Sequence, residues 1–242
     1  MTPKRPLCII KAGGTFPETA RLAGDFEQWI TTGLGPHIPA PNVVDARHAD
    51  ALPTPGHCAG ILITGSHAMV TEDRPWITRL SDWLGDRVAD GTPILGICFG
   101  HQLLAQAVGG RVDYHPGGLE IGTVEVGLTP AAAGDPLFAG LPPRFAAHTV
   151  HAQSVRQPPS CAVLLARNDF EAVHAFRIGE RAWGVQFHPE FDTQRMTHYV
   201  DRLAPDLRAA GRDPDTLRQS IAPTPDSAAL LPRFARLAYA AD

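Results

Sequence analysis

Cys98 stands in Gly96-Ile97-Cys98-Phe99-Gly100-His101-Gln102, directly behind Pro93-Ile94-Leu95 and ahead of the apolar stretch Leu103-Leu104-Ala105-Gln106-Ala107-Val108. A short buried strand turning sharply into a helix, with a thiol at the apex, is the arrangement of a nucleophile elbow with cysteine in place of serine. A residue at such an apex is strained, and glycines two positions either side remove the Cβ atoms that would hold strand and helix apart. The helix start also sets unpaired amides and the positive end of the helix dipole beside the sulfur. The competing reading is a buried cysteine in an ordinary glycine-rich loop; the spacing of the glycines favours the elbow.

A thiol nucleophile needs a base. Ala182-Trp183-Gly184-Val185-Gln186-Phe187 reads as a strand and runs into His188-Pro189-Glu190. Proline cannot donate to a sheet ladder, so the strand is expected to stop there. His188 and Glu190, two residues apart near a strand end, point to similar sides. A carboxylate on an imidazole fixes its tautomer and stabilises its protonated form. Alone, His-x-Glu is a weak signal, because surface pairs of this kind are common. Behind a strand, in the same chain as the cysteine elbow, it is strong.

From about Leu7 to Phe191 the chain resembles the class I (triad) glutamine amidotransferases, whose glutaminase domain carries a Gly-x-Cys-x-Gly-x-Gln elbow and a later His-Pro-Glu; both motifs are complete here. The resemblance implies a triad of Cys98, His188 and Glu190. It also implies an oxyanion hole made by the backbone amides of Ser66, in Gly60-Ile61-Leu62-Ile63-Thr64-Gly65-Ser66, and of Phe99. Where many members carry proline after this loop, the chain has His67. Gly65 and Gln102 are implied to contact substrate. So are His151 and Gln153, in His148-Thr149-Val150-His151-Ala152-Gln153-Ser154-Val155, where members often carry His-x-Asp. A metal held by His148 and His151 is a poor reading, since residues three apart on a strand face opposite ways; no metal or cofactor is expected.

The chain has 242 residues, long enough to bury a substantial core, and a net charge of −4. No basic patch with interleaved aromatics marks a nucleic-acid partner. No apolar run approaches membrane-spanning length, and the first apolar strand is too brief for a signal peptide, so cytoplasm is the expected location. The four cysteines lack Cys-x-x-Cys spacing, which suggests neither a zinc site nor a disulfide framework. Cys8 reads as core, and Cys58 and Cys161 as small hydrophobes before strands. Lysine occurs only at Lys4 and Lys11, leaving almost no candidates for Schiff-base chemistry.

Strands are expected at Leu7–Ala12, Ile38–Asp45, Gly60–Thr64 and Pro93–Ile97, alternating with helices around Ala20–Thr32, Trp76–Ala89 and Gly100–Val108. That alternation predicts an α/β fold, an open and mainly parallel sheet flanked by helices. Cys98 and Ser66 then lie beyond strand C-termini, the edge at which open α/β sheets bind ligands. Residues 111 to 187 read as shorter strands completing the sheet. Lys11-Ala12-Gly13-Gly14-Thr15-Phe16-Pro17 reads as a plain turn rather than an anion cradle, since it lacks phosphate-loop spacing. Residues 1–191 are taken as the amidotransferase domain, and 192–242 as a helical extension of about three pieces packing on it. There, Asp213-Pro214 is an N-cap signal, and Leu230, Leu231, Phe234, Leu237 and Ala238 share a helical face.

The implied reaction is hydrolysis of the side-chain amide of L-glutamine, with ammonia passed to an unidentified acceptor. The tail is too short for a synthetase domain, which makes a separate synthetase subunit the expected partner. A γ-glutamyl peptide or conjugate hydrolase with the same triad is the alternative, and a non-catalytic regulatory module of this fold a second one. A docking surface on the tail, for a partner or a second copy in a homo-oligomer, stays open.

Overall fold

The computed structural model describes residues 5–49 and 51–240. The first half alternates as expected: β1 (Leu7–Lys11), α1 (Pro17–Ala23), α2 (Phe26–Leu34), β2 (Asn42–Asp45), β3 (Gly60–Ile63), α3 (Pro75–Ala89), β4 (Ile94–Ile97) and α4 (Phe99–Ala107). Strands then follow: β5 (Arg111–Tyr114), β6 (Glu120–Leu128), β7 (Arg144–His151), β8 (Gln153–Gln157), β9 (Ala162–Arg167), β10 (Ala175–Ile178) and β11 (Ala182–Val185). The tail carries α5 (Thr193–Arg202), α6 (Ala204–Ala209), α7 (Pro214–Gln219), α8 (Pro225–Ala228) and α9 (Leu230–Ala240).

Nine strands form one sheet in the order β2-β1-β3-β4-β11-β10-β9-β6-β7, and β5 pairs with β8 in a small second sheet. The pairs from β2 through β11 are parallel, and those from β11 through β7 antiparallel. The sheet is thus the helix-flanked α/β sheet expected, with an antiparallel extension. Alternate residues of the parallel strands bury on opposite faces, as a sheet covered on both sides requires. Leu7, Ile9, Leu62, Leu95, Ile97, Trp183 and Val185 pack with Ile30 and Leu34 of α2 and with Leu231, Phe234 and Ala238 of α9. Cys8, Ile10, Ile61, Ile63 and Ile94 face Ile77, Leu80 and Leu84 of α3 and Leu103 and Leu104 of α4.

Three expectations change. The single helix over Ala20–Thr32 is two, parted at Gly24 (φ 83°). Asp25 caps the second, accepting from Phe26 N at 2.8 Å, while Gln28 Oε1 accepts from Asp25 N at 2.9 Å. That Gly-Asp-x-x-Gln stop-and-start signal overrides the continuous apolar period. The second strand begins at Asn42 rather than Ile38, because Pro39 and Pro41 cannot donate to the ladder. The tail has five helices, not three. Asp213 does cap α7, with Asp215 N and Thr216 N donating to its carboxylate.

The cysteine reading is also corrected: Cys8 and Cys58 form a disulfide, with Cα atoms 5.8 Å apart. Cys8 lies on β1 and Cys58 just ahead of the neighbouring β3, so the sheet brings together two residues whose spacing carries no signal. Such bonds are rare in reducing compartments, which counts against the cytoplasmic expectation. Among the described residues no helix is long and apolar enough to cross a membrane. Closing a loop of 50 residues stabilises by about 4 kcal/mol in the chain-entropy account. Urea unfolding of Cys58→Ala against the oxidised protein is expected to show a loss of that order; equal midpoints would refute it.

Candidate active site

The elbow forms as the sequence predicts. Cys98 has φ 50° and ψ −98°, and is the one non-glycine residue with positive φ among those described. Its N–H donates to Val185 O (2.8 Å), and its C=O accepts from Gln102 N (3.1 Å), so it closes the ladder and opens α4 in one residue. Both glycines are required by space. A Cβ on Gly96 would lie 2.4 Å from Gly100 O, and one on Gly100 2.7 Å from Ile63 O.

β11 delivers the second group. His188 N–H donates to His148 O at 2.8 Å, and its ring Nδ1–H donates to Glu190 Oε1 at 2.7 Å. Both side chains are buried. Phe191 stacks on the imidazole at 4.2 Å, and Phe26 lies nearly parallel beside the pair, 6.1 Å from His188 and 6.3 Å from Phe191. Nε2 makes no hydrogen bond among the described residues, and the Cys98 sulfur lies 3.8 Å from Val150 O. Burial works against a charged ring, but Glu190 first and then Cys98 outweigh it, and His188 is pushed up to about 10.

Two other buried histidines show what the carboxylate does. His101, behind the elbow against Phe176 (4.7 Å), is lowered to about 3 by burial. His148, bonded through Nδ1 to Thr123 Oγ1 at 3.2 Å, is lowered to about 4 by burial and by the charge on His188.

A cavity of about 310 Å³ opens in front of the sulfur, lined among others by Ser66, Phe99, Gln102, His151 and Gln153. Gln102 Nε2 donates to Gln153 O (2.7 Å) and Gln186 Oε1 (3.0 Å). Gln153 Nε2 donates to Thr71 Oγ1 at 2.6 Å, while its buried Oε1 has no partner among the described residues. Phe99 N–H lies in the first turn of α4, where amides have no intrahelical acceptor. Gly65 stands outside the cavity lining: a Cβ there would lie 3.0 Å from His188 Cε1, so it makes room for the imidazole.

His151 lines the cavity with both ring nitrogens engaged, Nδ1 with Gln153 O (2.9 Å) and Nε2 with Glu120 Oε2 (2.8 Å). Glu120 also lies 3.4 Å from His174 Nε2 and accepts from Asn168 Nδ2 at 2.8 Å. Burial would raise this carboxyl, but His151 and His174 hold it well below the usual carboxylate range. Glu120, His174 and Gln186 were not expected at the site. Their signal is a polar residue inside an apolar run, as in Leu119-Glu120-Ile121 and Val173-His174-Ala175.

The loop after β1 is a support. Lys11 Nζ pairs with Asp25 (2.8 Å) and Glu27 (2.9 Å), and Thr15 Oγ1 bonds Tyr199 OH at 2.8 Å. Gly13 allows Ser66 to approach, since a Cβ there would meet Ser66 Oγ at 2.4 Å. His67 is held by Tyr199 OH (3.3 Å) and by the ring of Phe16 (4.5 Å). Burial, then the charge on His188, lowers its pKa.

Residues 42–203 match the family described as "Glutamine amidotransferase class-I". GMP synthase [glutamine-hydrolyzing] of Aeropyrum pernix is 35% identical over 154 residues, 62% of this chain and 26% of that protein. Gamma-glutamyl peptidase 5 of Arabidopsis thaliana is 31% identical over 147 residues, 60% of this chain and 58% of that one. The chain thus spans about a quarter of the first relative and less than two thirds of the second. The crystal structure of a glutamine amidotransferase from Methylobacillus flagellatus superposes with a TM-score of 0.72 at 26% identity, covering 99% of this chain and 94% of that chain.

Glu190→Gln removes the charge that raises His188 and leaves the burial that lowers it. Because the folded pKa lies above the ordinary 6.5, the pair contributes its full stability below pH 6.5 and loses it as pH rises toward about 10. Imidazole nitrogen NMR is expected to show a charged His188 ring at pH 8 in the native protein and a neutral one in Glu190→Gln. A neutral ring in both would overturn the pairing.

Proposed function

The chain belongs to the class-I glutamine amidotransferase family, and from that premise we propose that it is a cysteine amidohydrolase acting on the γ-amide of a glutamyl group. L-Glutamine is the simplest such substrate. The observation that carries this reading is the 2.7 Å bond from His188 to Glu190 beside the strained Cys98.

In this mechanism the proton of the Cys98 thiol already resides on His188, whose imidazolium Glu190 stabilises, as the sulfur attacks the amide carbon. The oxyanion is held by the amides of Ser66 and Phe99. The C–N bond breaks as His188 returns the proton to the departing nitrogen. Water, deprotonated by the same histidine, then cleaves the γ-glutamyl thioester, releasing glutamate and the free thiol. Gln102 and the unpartnered Oε1 of Gln153 are assigned to the glutamyl group, the latter as acceptor for its α-ammonium. His151, with both nitrogens taken, shapes the pocket.

If the leaving group is ammonia, its acceptor is a synthetase domain or subunit outside these residues, since most of the GMP synthase relative has no counterpart here. The peptidase relative supports the second reading, in which the departing nitrogen belongs to a larger amine.

Cys98→Ala is expected to lower glutamate release from the best γ-glutamyl substrate by roughly 10⁵–10⁶-fold while circular dichroism stays native. The native enzyme, not the variant, should be labelled covalently by an electrophilic glutamine mimic. Turnover retained in the variant, or a native thiol inert to the mimic, would favour a non-catalytic module of this fold.

A further inference from the structure

The cavity in front of Cys98 has two walls of unlike chemistry. Toward β7 and β8 stand Gln102, His151 and Gln153, which suit a polar glutamyl group. On the flank of His188 the wall is mainly aromatic and apolar, with the His67 imidazole set between Phe16 and Tyr199. Phe26 lies parallel to the His188 ring at 6.1 Å, Phe16 sits 4.5 Å from His67 and 5.1 Å from Tyr199, and Leu203 continues the surface. No Asp, Glu, Lys or Arg lines the cavity among the described residues.

The position of this wall gives it a consequence. His188 is the donor to the departing nitrogen, so a substituent on that nitrogen must lie along the flank of His188. Ammonia carries no substituent and gains nothing from an apolar wall. A charged substituent would be desolvated there with no carboxylate, lysine or arginine in the lining to pair with it, at substantial cost. An apolar one would exchange water for ring contacts. The wall is also firmly held, because Tyr199 is tied to Thr15 at 2.8 Å and packs on Phe191 at 5.0 Å. Phe16 and Phe26 precede the stretch 42–203 that matches the family, and Leu203 ends it.

Resting on the amidohydrolase reading above, we propose that the surface formed by Phe16, Phe26, Tyr199 and Leu203 is a leaving-group subsite. The substrate is a γ-glutamyl amide whose nitrogen bears an uncharged, apolar alkyl or aryl group, taken in preference to glutamine. The γ-carbonyl C–N bond breaks as the bond to Cys98 Sγ forms, and the thiol proton passes through His188 to the nitrogen. The amine leaves, and one water converts the thioester to glutamate and thiol. No oxidant or second reactant is consumed.

The test compares kcat/KM for L-glutamine, γ-glutamylglycine and γ-glutamyl isoamylamide, read as glutamate release, with Cys98→Ala as the blank. The isoamylamide is expected to exceed the other two by about 10-fold or more. Phe16→Ala and Leu203→Ala, each half-buried in the native protein and checked by circular dichroism, should each cut that preference several-fold. Glutamine or γ-glutamylglycine matching the isoamylamide overturns the subsite and leaves the amidohydrolase standing. A preference undiminished in both variants overturns its placement on this wall. No Cys98-dependent turnover of any of the three overturns both readings.

Discussion

The contact between the end of β4 and the start of α4 is the constraint around which the site is built. With Gly100 O only 2.4 Å from where a Gly96 Cβ would lie, and Gly100 pressed on Ile63, strand and helix meet more closely than side chains permit. That closeness forces Cys98 into positive φ, a conformation costing a non-glycine residue about 1–3 kcal/mol. The cost is sustained because Cys98 is fastened on both sides, to Val185 through its N–H and to Gln102 through its C=O. Everything else at the site is placed relative to this fixed sulfur. β3 and β4 run parallel in register, which brings Ser66 to the same edge, and β11 pairs with β4 on the other side to bring His188.

Burial sets the charge of the buried groups at this edge unless an opposite charge faces them. His188 and His101 are both buried, yet one is raised to about 10 and the other lowered to about 3. The difference is the carboxylate of Glu190 and the sulfur of Cys98, which face only the first. Glu120 follows the same logic with the sign reversed, because two histidines hold it in its charged form. The His188–Glu190 pair faces the sulfur, and Glu120, with His174 beside it, holds His151 in the cavity wall. One serves the chemistry proposed for Cys98, and the other ties β6 to β7 beside the residues assigned to the glutamyl group.

The remaining supports come from the ends of the chain. The loop after β1 ties Lys11 to Asp25 and Glu27, and so locks α2, whose Phe26 packs toward His188. From the other end, Tyr199 of α5 reaches Thr15 and His67. Where many family members have proline, His67 is fixed by these contacts instead of by its backbone. The loop that carries Ser66 is thereby held by aromatic packing.

The sequence by itself determined the elements whose cause is local. Gly-x-Cys-x-Gly behind an apolar run specifies the elbow, because its steric demand falls on the residues adjoining Cys98. His188-Pro189-Glu190 specifies a strand end with two side chains to one side, and Asp213-Pro214 a helix start. The break at Gly24-Asp25 and the late start of β2 were legible in the same local terms, from Gly24, Gln28, Pro39 and Pro41. What only the tertiary structure decided are pairings between residues far apart in the chain. Cys8 and Cys58 are joined because β1 and β3 are neighbours in the sheet. His151 meets Glu120 because β6 and β7 pair in that register. Phe16 and Tyr199 meet because a loop and a helix from opposite ends of the chain cover one strand edge. Spacing along a chain encodes turns and faces. Which faces come to share a cavity is set by strand order, register and packing, which no local pattern contains.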